Sequence, residues 1–152
     1  MQYLLTASTP TVGDVLLIYI DTSAAVKLVR REAQSEELSL WIRGHLSPEF
    51  VSSVIIEVEL PRATKRSAPM NLDRAGEVLD GIGIVTLSPA IVTRAAGFDE
   101  HDLRSLDAIH LATAEHVANT ARSEFLGFLG YDSRLLEAAR KIGLPVLAPG
   151  LL

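Results

Sequence analysis

The sequence predicts an α/β domain with a central parallel sheet flanked by helices on both faces. Three observations point there. Short aliphatic runs alternate along the whole chain with longer stretches of helical periodicity, and strands that alternate with helices pair in parallel through right-handed crossovers. Hydrophobic residues make up 48% of the chain but aromatics only 5%, so the core has to be built from Leu, Ile, Val and Ala. Cysteine is absent, which excludes disulfides, zinc–thiolate sites and cysteine nucleophiles and fits a reducing cytosol. A chain of 152 residues suggests one domain, long enough to bury a core without covalent staples.

Residues 1–14 read as an N-terminal extension, either disordered or lying ahead of a native start near Val15, and residues 15–152 as the domain. The run 15–20 is apolar and ends at Asp21. A run that short and that apolar is a strand buried on both faces. Thr22 or Ser23 can cap the helix that follows over 24–31, where Ala25, Leu28 and Val29 share a stripe. A second helix covers 34–43, with Leu38 and Trp41 three apart. Residues 50–53 give a short strand, 54–67 a third helix, and 72–79 a fourth that Gly81 stops. Residues 82–87 form another β-branched strand, and 89–96 a short helix with Pro89 at its start. An amphipathic helix over 106–118, a strand over 125–129, a helix over 133–141 closed by Gly143, and a last strand over 145–147 complete the chain. There is no internal repeat, no apolar run of membrane length and no basic start of a secretory signal. The expectation is a cytoplasmic protein with no membrane segment.

The position of the acids carries the functional reading. Asp21 follows the first strand directly, and Asp132 follows the strand over 125–129 after Gly130 and Tyr131. Both therefore project from the carboxyl edge of the sheet, where such folds place their ligands. Glu59 lies near the start of the third helix, and Asp107 opens the apolar face of the 106–118 helix. Each also has a plainer reading: Asp21 as a helix N-cap, Asp107 as a charge that stabilises a helix N-terminus. Four carboxylates converging on one edge would repel one another and raise each other's pKa. A divalent Mg2+ or Mn2+ relieves that repulsion and suits carboxylate and water ligands. Such an ion can orient and ionise water beside a phosphate, which is the chemistry of phosphodiester hydrolysis. The net charge of −5 argues against broad non-specific nucleic-acid binding, so local basic patches would have to carry an RNA strand.

Several stretches are similar to a known family. Ile-Tyr-Ile-Asp-Thr-Ser-Ala over 18–24 resembles the opening motif of PIN-domain nucleases, and Ser-Leu-Asp-Ala-Ile-His-Leu-Ala-Thr-Ala over 105–114 resembles the motif around their third acid. Tyr-Asp-Ser-Arg-Leu from Tyr131 and Gly-Leu-Pro-Val-Leu-Ala-Pro-Gly from Gly143 resemble the family's tail. Together they look most like VapC-type toxins of bacterial toxin–antitoxin modules, over nearly the whole chain. The resemblance implies a metal-dependent endoribonuclease with Asp21, Glu59, Asp107 and Asp132 as catalytic, metal-holding acids, and with Thr22 or Ser23 supporting them. It implies an antitoxin protein, an RNA substrate and a homodimer. Glu59 is chosen as second acid because family members often carry Glu three residues before Arg-Ala, here Arg62-Ala63; Glu57 is the competitor. Pro61 departs from the family's aliphatic residue, so the helix either begins later than 54 or kinks beside Glu59.

Other residues divide between a function and a plainer role. Arg62, Lys65 and Arg66 share a helix face that can line an RNA path or be simply solvated, and Lys27, Arg30 and Arg31 pose the same choice. His110, three after Asp107, reads as a packed helix histidine before it reads as a base, and His101 and His116 offer no zinc spacing. Trp41 with Leu38 and Leu40 can form either a groove for an antitoxin helix or part of the core. Two other classes compete. A phosphoaspartate-type phosphatase would use Asp21 as nucleophile but usually carries a second Asp where Ser23 stands. A non-catalytic PIN-like binding module would have no reason to keep four mutually repelling acids.

Overall fold

A computed structural model of the protein describes residues 15–44 and 47–151. The expectations for residues 1–14 lie outside the described residues. Five strands run in the order β3-β2-β1-β4-β5, and every neighbouring pair is parallel. The strands are β1 (Leu17–Ile20), β2 (Glu49–Ser53), β3 (Ile82–Val85), β4 (Phe125–Leu129) and β5 (Val146–Leu147). The helices are α1 (Thr22–Val29), α2 (Ser35–Arg43), α3 (Ile56–Ser67), α4 (Leu72–Asp80), α5 (Pro89–Ala96), α6 (Ser105–Ala121) and α7 (Ser133–Lys141), with short 3₁₀ turns ahead of α4 and β4.

Period-two alternation divides β1 between two cores. Ile18 and Ile20 face one side with Ala25, Val29, Leu38, Ile56, Leu60 and Val78 of α1–α4. Leu17 and Tyr19 face the other with Leu111, Ala114, Val117, Leu135 and Ala139 of α6 and α7. The winding reverses at β1, whose neighbours β2 and β4 lead away on opposite sides. A crevice therefore opens at the carboxyl ends of β1 and β4, the position that doubly wound sheets use for ligands. Gly127 and Gly130 let β4 sit close to its neighbours. A Cβ on Gly127 would come within 2.9 Å of the Leu147 side chain, and one on Gly130 within 3.3 Å of the Asp21 Cβ.

Three local expectations need correction. Helix α1 starts at Thr22, and Asp21 is its cap: the Asp21 side chain accepts from the Ser23 amide. A carboxylate caps as well as a hydroxyl, since it accepts from a free helix amide, and its charge also favours the positive end of the helix dipole. Helix α3 begins at Ile56 rather than 54, and Pro61 lies inside it, where it has no N–H to offer the Glu57 carbonyl. Helix α6 is not amphipathic. Sheet, α5 and α7 pack around it, and Ala108, Leu111, Ala112, Thr113, Ala114 and Val117 are all buried. Small side chains at four of these positions allow that close approach on several sides. No helix among the described residues is long and apolar enough to cross a membrane.

Candidate active site

The four acids come from four elements. Asp21 follows β1 directly, Glu59 sits in the first turn of α3, Asp107 in the first turn of α6, and Asp132 caps α7. Three threads of hydrogen bonding hold this edge together. The Asp21 amide donates to the Leu129 carbonyl at 2.9 Å, which ties the ends of β1 and β4. The Ser23 hydroxyl donates to Asp21 Oδ2 at 2.6 Å and accepts from the Tyr131 amide at 2.9 Å, so one hydroxyl couples the turn after β4 to the first acid. Asp132 Oδ1 accepts from the Arg134 and Leu135 amides, which leaves Oδ2 as its outward atom.

Glu59 is the glutamate that faces this edge. Its Oε1 accepts from the Thr22 hydroxyl at 2.7 Å and lies 2.6 Å from His110 Nε2, whereas Glu57 is exposed. Glu59 titrates below the ordinary range. Burial works to raise it, and the bonds from His110 and Thr22 together with the His110 charge outweigh that.

His110 is the residue whose part in the site sequence reasoning missed. It is 1% exposed, as a packed helix histidine would be, yet it binds across the site. Its Nδ1 lies 2.6 Å from the Tyr19 hydroxyl, which itself accepts from the Ser53 amide. An ionised Glu59 can only accept, so Nε2 carries a hydrogen toward it, and Tyr19 is left to donate to Nδ1 when the ring is neutral. Asp21 Oδ1 lies 3.6 Å from the same Nε2. Burial favours the neutral ring, but the Asp21, Glu59 and Asp107 carboxylates overcome it and leave the His110 pKa raised. The signal was present in the spacing. Tyr19 stands two before Asp21 on a strand, and His110 three after Asp107 on a helix, so each shares a face with an acid.

Asp107 titrates above the ordinary range. Burial is the main cause, Asp21 and Asp132 add to it, and Arg104 opposes it. Its oxygen Oδ2 lies 3.4 Å from Arg104 Nε, and Arg104 NH2 lies 3.9 Å from Asp132 Oδ2. The acids thus fall into two pairs: Asp21 and Glu59 are bridged by His110, Asp107 and Asp132 by Arg104. Among the described residues, no three His, Asp or Glu side chains form a ready metal-ligand cluster. The oxygens left over are nevertheless all hard carboxylate donors, and Mg2+ commonly takes one or two carboxylates while keeping several waters. The raised Asp107 marks an edge where added positive charge is favourable. The donor set therefore fits such an ion.

The basic residues separate. Lys27 is held by Glu32 and the Ala33 carbonyl, Arg30 pairs with Glu32 at 2.7 Å, and Arg31 is largely solvated. Arg62, Lys65 and Arg66 are all exposed on α3. Of these three, Arg66 lines a cleft of about 460 Å³ that also holds Ser23, Lys27, Arg30, Tyr131 and Asp132. Leu38 is fully buried and Trp41 packs at the margin of the same core, while Leu40 is exposed.

The family described as PIN domain matches residues 18–141. The chain belongs to the PIN-domain family. Among curated relatives of this PIN domain, Ribonuclease VapC35 of Mycobacterium tuberculosis is 39% identical over 134 residues, which cover 88% of this chain and 98% of the relative. The crystal structure of M. tuberculosis VapC20, described as a sarcin–ricin loop cleaving toxin, superposes with a TM-score of 0.66 at 15% identity, covering 87% of this chain and 99% of that one. A toxin–antitoxin complex from Klebsiella pneumoniae gives 0.62 at 21% identity, covering 86% and 95%. At those identities the structures establish the shared fold of the PIN domain.

Proposed function

We propose that this PIN domain is a Mg2+- or Mn2+-dependent endoribonuclease that hydrolyses RNA phosphodiester bonds and serves as the toxin of a toxin–antitoxin pair. The observation that supports the reading is that Asp21 follows β1, Asp107 opens α6 and Asp132 caps α7, with Asp107 near enough to Asp21 and Asp132 to feel the charge of both. Its kinship with a curated ribonuclease over most of both chains supports it. Asp21, Glu59, Asp107 and Asp132 are the proposed catalytic acids, with Asp21, Asp107 and Asp132 holding the ion directly. Glu59 has one oxygen spent on Thr22 and His110, so it acts through Oε2 or through bound water. The ion, when bound, would activate water and neutralise charge on the phosphate. Ser23 orients Asp21, and Thr22 orients Glu59. An antitoxin protein, a homodimeric state and a cytoplasmic setting complete the proposal.

The phosphatase reading loses ground here. Ser23 stands where a second acid would be needed. A non-catalytic module would leave a half-buried Asp107 repelled by two neighbours for no return.

Purified protein should cleave structured or single-stranded RNA with Mg2+ or Mn2+ and stop when the ions are chelated; undiminished cleavage in excess chelator would refute the metal mechanism. Growth arrest on expression, relieved by the protein encoded beside it, tests the toxin role. Arg66 lines the cleft that runs from Asp132 and Ser23 along α1 and α3, the proposed strand path, with Arg62 and Lys65 further out. Arg66→Glu should raise KM for RNA about 10-fold with kcat little changed, since losing a phosphate contact weakens binding without altering chemistry. An unchanged KM would move the strand to another face.

A further inference from the structure

The Arg104 side chain is 76% exposed, yet it lies against the two acids of the outer pair. Its backbone is extended, with φ −70° and ψ 160°, at the cap position of α6, which sets its side chain one turn back from Asp107 at the mouth. Nε reaches Asp107 Oδ2 at 3.4 Å and NH2 approaches Asp132 Oδ2 at 3.9 Å. The first contact is a long hydrogen bond, and the second is a charge contact beyond hydrogen-bond reach. Neither is the tight two-pronged clamp of a structural Arg–carboxylate pair. Arg104 is the one cation among the described residues that pairs with Asp107 or Asp132. Asp132 Oδ1 is already committed to helix amides, so Arg104 faces the oxygen that remains.

We propose that Arg104 is a built-in counter-ion for the outer acid pair. In the free protein it offsets the repulsion between Asp107 and Asp132. It gives up those oxygens when a divalent cation binds and turns its guanidinium to a phosphate oxygen of the RNA strand. Loose, solvent-exposed pairing suits a group that must let go, and a planar fork of donors suits phosphate. The inference rests on the proposed ribonuclease reading for its second half, and its first half can be read without RNA.

The test is Arg104→Ala beside Arg104→Lys, each checked for an unchanged thermal melt. In Mn2+ titrations by calorimetry without RNA, Arg104→Ala should bind Mn2+ about 3- to 10-fold more tightly than the unaltered protein, because a competing cation has gone. At saturating Mn2+ its kcat/KM on RNA should fall about 10- to 100-fold, with Arg104→Lys between the two. Unchanged or weaker Mn2+ binding by Arg104→Ala overturns the counter-ion role, and so does a failure of both proteins to bind Mn2+. Full kcat/KM in Arg104→Ala overturns the phosphate role. Tighter Mn2+ binding in a protein that cleaves no RNA would remove the ribonuclease reading and leave the counter-ion standing.

Discussion

Asp21→Asn should lose RNA cleavage by at least about 100-fold in kcat/KM while the fold survives. The asymmetry comes from the double use of this side chain. As a cap, Asp21 needs only an oxygen to accept from the Ser23 amide and hydroxyl, and Asn supplies one; the two residues rank alike as N-caps. As the proposed cation-holding acid it needs its charge, which Asn lacks. Asp107→Asn should lose cleavage to the same degree for a different local reason. It sits in the first turn of α6 with its carboxylate disfavoured by burial and by Asp21 and Asp132, so removing the charge relieves repulsion. Its melting temperature should stay level or rise slightly while activity disappears. Cleavage assays at saturating Mn2+, paired with thermal unfolding, separate the two readings. Should Asp21→Asn keep its activity, the site would have to be rebuilt around other residues.

His110→Ala should be the most destabilising single change at the site. The ring is buried and links β1, α3 and α6 through Tyr19 and Glu59. Truncation leaves a void, deprives the Tyr19 hydroxyl of its acceptor and takes a donor from Glu59. Void and lost hydrogen bonds together cost about 2–4 kcal/mol, which for a domain of this size lowers the melting temperature by about 5–12 °C. Tyr19→Phe should cost less, about 1–2 kcal/mol, because it leaves the imidazole in place and unpairs only the Ser53 amide and His110 Nδ1. The double variant should cost less than the sum, since both substitutions cut one chain of bonds. Urea unfolding of the three proteins measures this. Strict additivity would mean that Tyr19 and His110 act separately. Activity of His110→Ala should also fall, because Glu59 would keep only the Thr22 bond and hold its orientation less firmly.

The class of fold and the edge that bears the candidate site were legible because they follow from local rules. An acid at or just beyond the end of an apolar strand stands at a carboxyl end wherever the strand lies in a parallel sheet, so Asp21 and Asp132 could be placed without knowing strand order. Pro89 likewise marked a helix start through its own backbone chemistry. Helix α6 misled because an alternating pattern of Ala, Ile and Leu reads as one buried stripe, and Ala is too small to declare whether a second helix packs on it.

What only the tertiary structure decided lies in contacts between distant parts of the chain. Glu57 and Glu59 both sit in a chain segment of helical pattern, and the choice depends on how α3 rolls on the sheet once Ile56, Leu60 and Thr64 are buried. That roll brings Glu59 to Thr22, 37 residues away, and to His110, 51 residues away. Tyr19, His110 and Arg104 owe their places to the same assembly of β1, α3, α6 and α7. The sequence by itself determined which acids stand at the edge of the sheet, because strand and helix ends are set by neighbours in the chain. Folding decided which groups bridge those acids, because a buried ring or a guanidinium at the mouth is defined by the elements packed around it.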